Sequence, residues 1–183
     1  GLHRGAGRVS AWVEDALALV YLQIYKRGDF AAARALLDEL ESSRDVHDEG
    51  RAHALFHAGQ LAAEVGELRP ALAHLERAAA SAERLGLERL GVGVLQLRAE
   101  MLRHLGRGDE AVELLASALE NNELEPCDQA LLLANAGWLA IAADRIEEAR
   151  EPLERSLSLR RGECPNPTSE AIASSRRSTS SGP

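Results

Sequence analysis

The stretch Gly66 to Ala78, Gly-Glu-Leu-Arg-Pro-Ala-Leu-Ala-His-Leu-Glu-Arg-Ala, has three partial copies elsewhere in the chain. The shared skeleton is an alanine with a leucine four places later: Ala33 and Leu37, Ala71 and Leu75, Ala111 and Leu115, Ala149 and Leu153. These alanines stand 38, 40 and 38 residues apart. Self-similarity at such a period means one supersecondary unit stacked on its copies, because a single unit cannot bury its own apolar face. Residues on either side of each skeleton carry the helical period. Val13, Leu17, Val20, Tyr21 and Ile24 recur at steps of three and four, then Gly28-Asp29 turns the chain into Phe30, Ala33, Leu36, Leu37 and Leu40. So short a link leaves only an antiparallel helical hairpin.

Three further hairpins follow. Ala54, Leu55, Ala58, Gly59 and Ala62 lead to a turn at Gly66-Glu67 and back through Ala71, Leu72, Leu75 and Ala78, with Pro70 in the returning helix's first turn and Gly86 as its stop. Leu95, Ala99 and Leu102 turn at Gly106-Arg107-Gly108 into Ala111, Leu114 and Leu115, which end near Asn121-Asn122. Pro126 opens the fourth, which passes Leu133, Ala136, Gly137 and Ala140 before Ile146, Ala149, Leu153 and Leu157. Its turn at Asp144-Arg145 has no glycine, so plain helix termination is expected there. The predicted fold is an all-α, right-handed α-solenoid of about four hairpins over residues 11–160, with repeats at 11–46, 48–86, 88–122 and 126–160. Residues 1–10 are expected to be flexible. Residues 161–183, with three prolines and eight Ser or Thr from Thr168 to Ser181, read as a mostly disordered tail or a partial capping helix near Glu170 to Ala173.

Composition narrows the function. Apolar residues make up 45% but aromatics only 3%, so the core rests on Ala, Leu and Val. A formal charge of −8, from 29 acidic and 21 basic residues, disfavours nucleic acid as a partner. Lys26 is the lone lysine among many arginines, a pattern expected of a high-GC bacterial genome. No apolar run is long enough to span a bilayer and no signal-peptide core is present, so a cytoplasmic location and no membrane partner are expected. Cys127 and Cys164 form no framework or metal knuckle, which suggests a reducing compartment and a packed thiol at Cys127.

No catalytic motif emerges. His53 and His57 lie one helical turn apart, but no third ligand or HExxH frame accompanies them, so no metal is expected. Gly5-Ala-Gly7 lacks the strand and third glycine of a dinucleotide loop. The expectation is a chain that is not an enzyme and takes no cofactor.

Glycine at the turn, alanine with a large residue four later, and Gly59 or Gly137 at the close crossing of the hairpin resemble the tetratricopeptide repeat. The period of 38 to 40 exceeds that family's usual 34. It is similar to the long-period repeats of bacterial regulators, of kinesin light chains and of chains bearing CHAT-type protease domains. The family's Trp is replaced by Leu17, Leu55, Leu95 and Leu133, and its closing Pro is absent. Armadillo, HEAT and pentatricopeptide arrays are the competing helical repeats.

The resemblance implies a protein-interaction scaffold whose concave groove is lined by the first helix of each hairpin. The groove stripe is then Leu22, Tyr25 and Lys26; His53, Phe56, His57 and Gln60; Gln96, Glu100 and Arg103; and Asn135, Trp138 and Ile141. Phe56 and Trp138 are the expected anchors for a peptide or partner domain; the rival reading packs them between adjacent repeats. Ala18, Leu22 and His57 stand where the family's chaperone-binding members hold a terminal carboxylate with Lys and Asn, so that ligand is not expected. The alternative function is a regulatory or sensor segment of a larger bacterial kinase, CHAT-type protease or transcription regulator, favoured by the missing initial Met. Leu153, Leu157 and Leu159, uncovered by a following hairpin, suggest a homo-oligomer through the array ends.

Overall fold

A computed structural model describes residues 3–120, 124–162 and 164. The helices run in chain order: α1 (His3–Leu22), a π-helical segment (Gln23–Arg27), α2 (Phe30–Ser42), α3 (Asp48–Glu64), α4 (Leu68–Leu85), α5 (Glu88–His104), α6 (Gly108–Leu119), α7 (Pro126–Ala142) and α8 (Ile146–Gly162). No strand occurs among the described residues. The fold is all-α and of the helical-repeat, solenoid class. Helix α1 begins at His3, upstream of its first apolar stripe residue, Val13. Most of the expected tail, including Glu170 to Ala173, lies outside the described residues.

The hairpin turns share one backbone device. Gly66 has φ +81°, the Glu67 N–H donates to the Ala62 carbonyl at 2.8 Å, and the Gly66 N–H donates to the Ala63 carbonyl at 3.0 Å. A left-handed residue just past the helix end, with these two bonds, satisfies carbonyls that the last turn leaves orphaned. The same pair of bonds recurs at Gly86 and Gly106, with Leu87 N–H to Ala82 and Arg107 N–H to Leu102. It recurs also at Asp144, whose φ is +59° and whose neighbour Arg145 donates to Ala140 at 2.8 Å. The fourth turn therefore does not end by plain helix termination. Asp144 adopts the left-handed conformation that glycine supplies elsewhere, a role Asp tolerates better than most residues.

The first hairpin departs from the others one turn earlier. In the π-helical segment the Gln23 carbonyl accepts from Gly28 and from Asp29, the latter at 2.9 Å. This wider turn absorbs one extra residue. Buried Val20 and Ile24 are four apart where buried Gly59 and Ala62 are three apart. Asp29 then caps α2 by accepting from the Ala32 N–H at 3.0 Å.

The chain divides into two units, Gly1–Leu115 and Ala116–Pro183. In the first, α1, α3 and α5 are the leading helices of successive hairpins, and α1 touches α3 as α3 touches α5. Ala33, Ala71 and Leu75 are fully buried between the helices of their hairpins. A Cβ on Gly59 would lie 2.7 Å from Leu75 Cγ, which explains the small residue: the α3 backbone passes directly over that side chain. On the opposite face, a trough of about 600 Å³ with Leu37, Ala58 and Leu61 in its lining is flanked by exposed ion pairs, Arg77 with Glu41 at 2.7 Å and Arg84 with Asp48 at 3.0 Å.

In the second unit α7 and α8 repeat the crossing. A Cβ on Gly137 would meet Leu153 Cγ at 2.5 Å. The buried Ser156 hydroxyl donates to the Ala130 carbonyl at 2.6 Å. Cys127, near the start of α7, is disulfide-bonded to Cys164, just past α8, with their Cα atoms 5.3 Å apart. Cys127 is thus not a packed thiol, and the cysteine argument for a reducing compartment falls: such bridges persist in oxidising surroundings. No described helix is long and apolar enough to cross a membrane.

Candidate functional site

Because each hairpin reverses the chain, α1, α3 and α5 run in the same direction and present side chains at matching levels. Of the expected stripe on α1 and its π-helical extension, Leu22 is half-buried, Tyr25 is 39% exposed and Lys26 is exposed. On α3, His53, Phe56, His57 and Gln60 are all half-buried. On α5, Gln96 is half-buried while Glu100 and Arg103 are exposed. Asn135, Trp138 and Ile141 lie on α7 in the second unit; Asn135 and Ile141 are half-buried and Trp138 is 63% exposed.

Within the first unit these side chains form defined contacts. The Phe56 ring lies over Gly93 of α5, its Cζ 3.4 Å from where a Cβ would stand. That ring packs between α3 and α5, in ordinary contact range of position 93. Phe56 also lies against the His57 ring, with centroids 5.6 Å apart. His57 Nδ1 is 2.7 Å from Gln60 Oε1. An amide oxygen only accepts, so Nδ1 carries the proton and donates. Burial pulls the His57 pKa below its ordinary 6.5; the Gln60 bond opposes this and the nearby His53 adds to it. His57 is therefore a neutral, committed imidazole, and among the described residues no group of three or more His, Cys, Asp or Glu side chains is placed to hold a metal.

Two residues outside the expected stripe belong to this face. Tyr21 is 49% exposed and packs on Tyr25, ring centroids 4.8 Å apart and tilted by 46°. Glu64, exposed near the end of α3, and Glu100 of α5 both act on the Tyr25 hydroxyl. Its pKa is raised, first by burial and then by Glu64, Tyr21 and Glu100. A regular period carries Tyr21 onto the core-facing stripe, and the π turn rotates it out. No local signal in the sequence marks that rotation, since a four-residue step from Val20 to Ile24 is also what a regular α-helix gives. Beside Tyr21, a cavity of about 430 Å³ lies between α1 and α3, with Val13 and Leu17 on one side and His53 and His57 on the other.

A comparison with curated proteins gives no match. Among solved structures the chain is similar to BtubC (BKLC) from P. vanneervenii, 18% identical over 91% of this chain and 95% of that one, at a TM-score of 0.47. It is also similar to MamA from AMB-1, 17% identical over 85% and 93% of the two chains at a TM-score of 0.32, and to MamA from MSR-1, 17% identical over 83% and 96% at 0.31. Likenesses at these TM-scores carry no argument. The family model described as tetratricopeptide repeat matches residues 92–162, the segment from α5 to α8. Those helices hold two copies of the Ala-Leu skeleton, and the turns of α3 and α4 repeat the backbone device that closes α5. Over the segment from α5 to α8 the chain is similar to the tetratricopeptide repeat family.

Proposed function

We propose that this protein is a non-enzymatic scaffold that holds a peptide segment or partner domain against faces presented by its leading helices, one on α1, α3 and α5 of the first unit and one on α7 of the second. The observation that carries this reading is the aromatic exposure on those helices. Tyr21 and Tyr25 stand on α1 and its π-helical extension, and Trp138 on α7, in a chain with very few aromatics to spare. Large rings left in water on helix faces cost burial that the fold could otherwise use, and aromatic side chains are enriched among residues that dominate binding energy. The half-buried His53, Phe56, His57 and Gln60 beside the tyrosines form a mixed floor suited to an extended or helical segment. Phe56 serves this floor by packing on Gly93; on α7 of the second unit Trp138 is the exposed anchor.

Affinity capture from a lysate of the source organism tests the reading, comparing the intact chain with a Tyr25→Ala, Trp138→Ala variant of unchanged helicity by circular dichroism. Loss of a bound protein with the variant supports the face, and truncation of a true anchor weakens binding by about 2 kcal/mol or more. Identical capture by both proteins overturns it.

A further inference from the structure

We infer that the leading-helix face of the first unit selects a basic segment, seating an arginine or lysine side chain on the Tyr21–Tyr25 pair between the carboxylates of Glu64 and Glu100. The inference rests on the scaffold reading above and names the chemistry of its partner.

Three helices deliver these groups. The tyrosines are one helical turn apart on α1 and its π-helical extension, and their rings, 4.8 Å apart and tilted by 46°, both remain exposed. Glu64 comes from the last turn of α3 and Glu100 from α5, and both lie close enough to raise the pKa of the Tyr25 hydroxyl. The ring faces carry negative quadrupole density and attract a cation within about 6 Å of the centroid, Arg more often than Lys. Carboxylates at the rim supply the bidentate partner that a guanidinium takes. Neither glutamate is saturated. Among the described residues no basic side chain lies within ion-pair distance of Glu64, and Glu100 has only the exposed His104, at 3.7 Å, a partner only when protonated. Arg103 is engaged with the same His104, its guanidinium donating to Nε2 at 2.7 Å, which leaves that nitrogen without a proton for Glu100; Lys26 is exposed. The chain's charge of −8 draws the same class of partner at long range. A peptide bearing a carboxylate would meet two like charges here, so acidic segments are rejected by the same groups.

The test is fluorescence anisotropy on the full chain with three labelled Gly-Ser peptides carrying paired arginines, paired glutamates or paired leucines, alongside NMR of the tyrosine ring signals. The arginine peptide is expected to bind and to shift both tyrosines, and its affinity should fall severalfold as salt is raised from roughly 0.05 to 0.5 M. Tyr25→Leu should weaken it by about fivefold while Tyr25→Phe, which keeps the π face, changes it little. Glu64→Gln with Glu100→Gln should weaken it by a similar factor. Equal or tighter binding of the leucine or glutamate peptide, with the tyrosines shifting, would overturn the choice of a basic partner and leave the scaffold reading standing. Arginine-peptide binding untouched by these variants would overturn the site. If no peptide shifts the tyrosines, the basic site falls, and the capture experiment above decides the scaffold reading.

Discussion

At the scale of single residues, the hairpin crossings turn on whether a β-carbon fits. Gly59→Ala would place a methyl 2.7 Å from Leu75 Cγ and 2.8 Å from Cδ2, and Leu75 is fully buried. Overpacking of this kind costs roughly 1–3 kcal/mol, which outweighs the gain of about 1 kcal/mol from replacing a helical glycine. Gly91→Ala is the control, since nothing lies within 4 Å of its added methyl. Urea denaturation should lower the midpoint for the first and leave or raise it for the second. His57 gives a second residue-scale expectation. Its folded pKa is depressed by burial below the ordinary 6.5, so the unfolded chain binds the proton more readily. Its contribution to stability is full above the unfolded pKa and is lost as the pH falls from about 6.5 toward the folded pKa. Melts between about pH 7.5 and 5.5 should show the loss, and His57→Asn, which keeps a donor near Nδ1, should flatten that part of the profile.

At the scale of elements, what ends a helix decides how the next one starts. Asp144 pays a conformational cost at φ +59° that Gly28, Gly66, Gly86 and Gly106 avoid. Asp144→Gly should therefore stabilise the α7–α8 hairpin by about 0.5–1 kcal/mol, and Asp144→Val should destabilise it by more, read as shifts in thermal midpoint. The element-scale reading was largely legible beforehand because glycine, alanine and leucine at fixed offsets report directly on turns and crossings. Two things escaped it. Whether Asp144 takes the left-handed form depends on the bonds Arg145 and Asp144 make to Ala140 and Ile141, which no local propensity encodes. The π segment depends on tertiary contact, since Val20 and Ile24 are both drawn into the core and the backbone widens to let them.

At the scale of the whole molecule, the two units carry different fastenings. The first has a contiguous core of Val13, Val20, Ile24, Ala33, Leu37, Leu40 and Leu61 among others, whereas α7 and α8 are also tied by a disulfide spanning 37 residues. Closing a loop of that length removes about 3–4 kcal/mol of unfolded-chain entropy in the simplest treatment. Cys164→Ser, or reduction of the intact chain, should raise amide exchange in α7 and α8 and leave α3 and α4 protected. Uniform loosening of both regions would contradict independent fastening.

The repeat period, the all-helical class and the hairpin turns followed from the sequence alone, because they depend on side-chain size and backbone freedom at positions close in the chain. The candidate face was only partly readable. Tyr25, His53, His57 and Glu100 could be placed on the leading helices by period, but Tyr21 and Glu64 could not be joined to them from the sequence. Nor could the bond between Cys127 and Cys164 be foreseen. Each of these depends on which atoms from distant turns of the chain come within a few ångströms. A one-residue insertion at a π turn rotates every preceding side chain by about 100°, and only packing against the core decides where that insertion is absorbed.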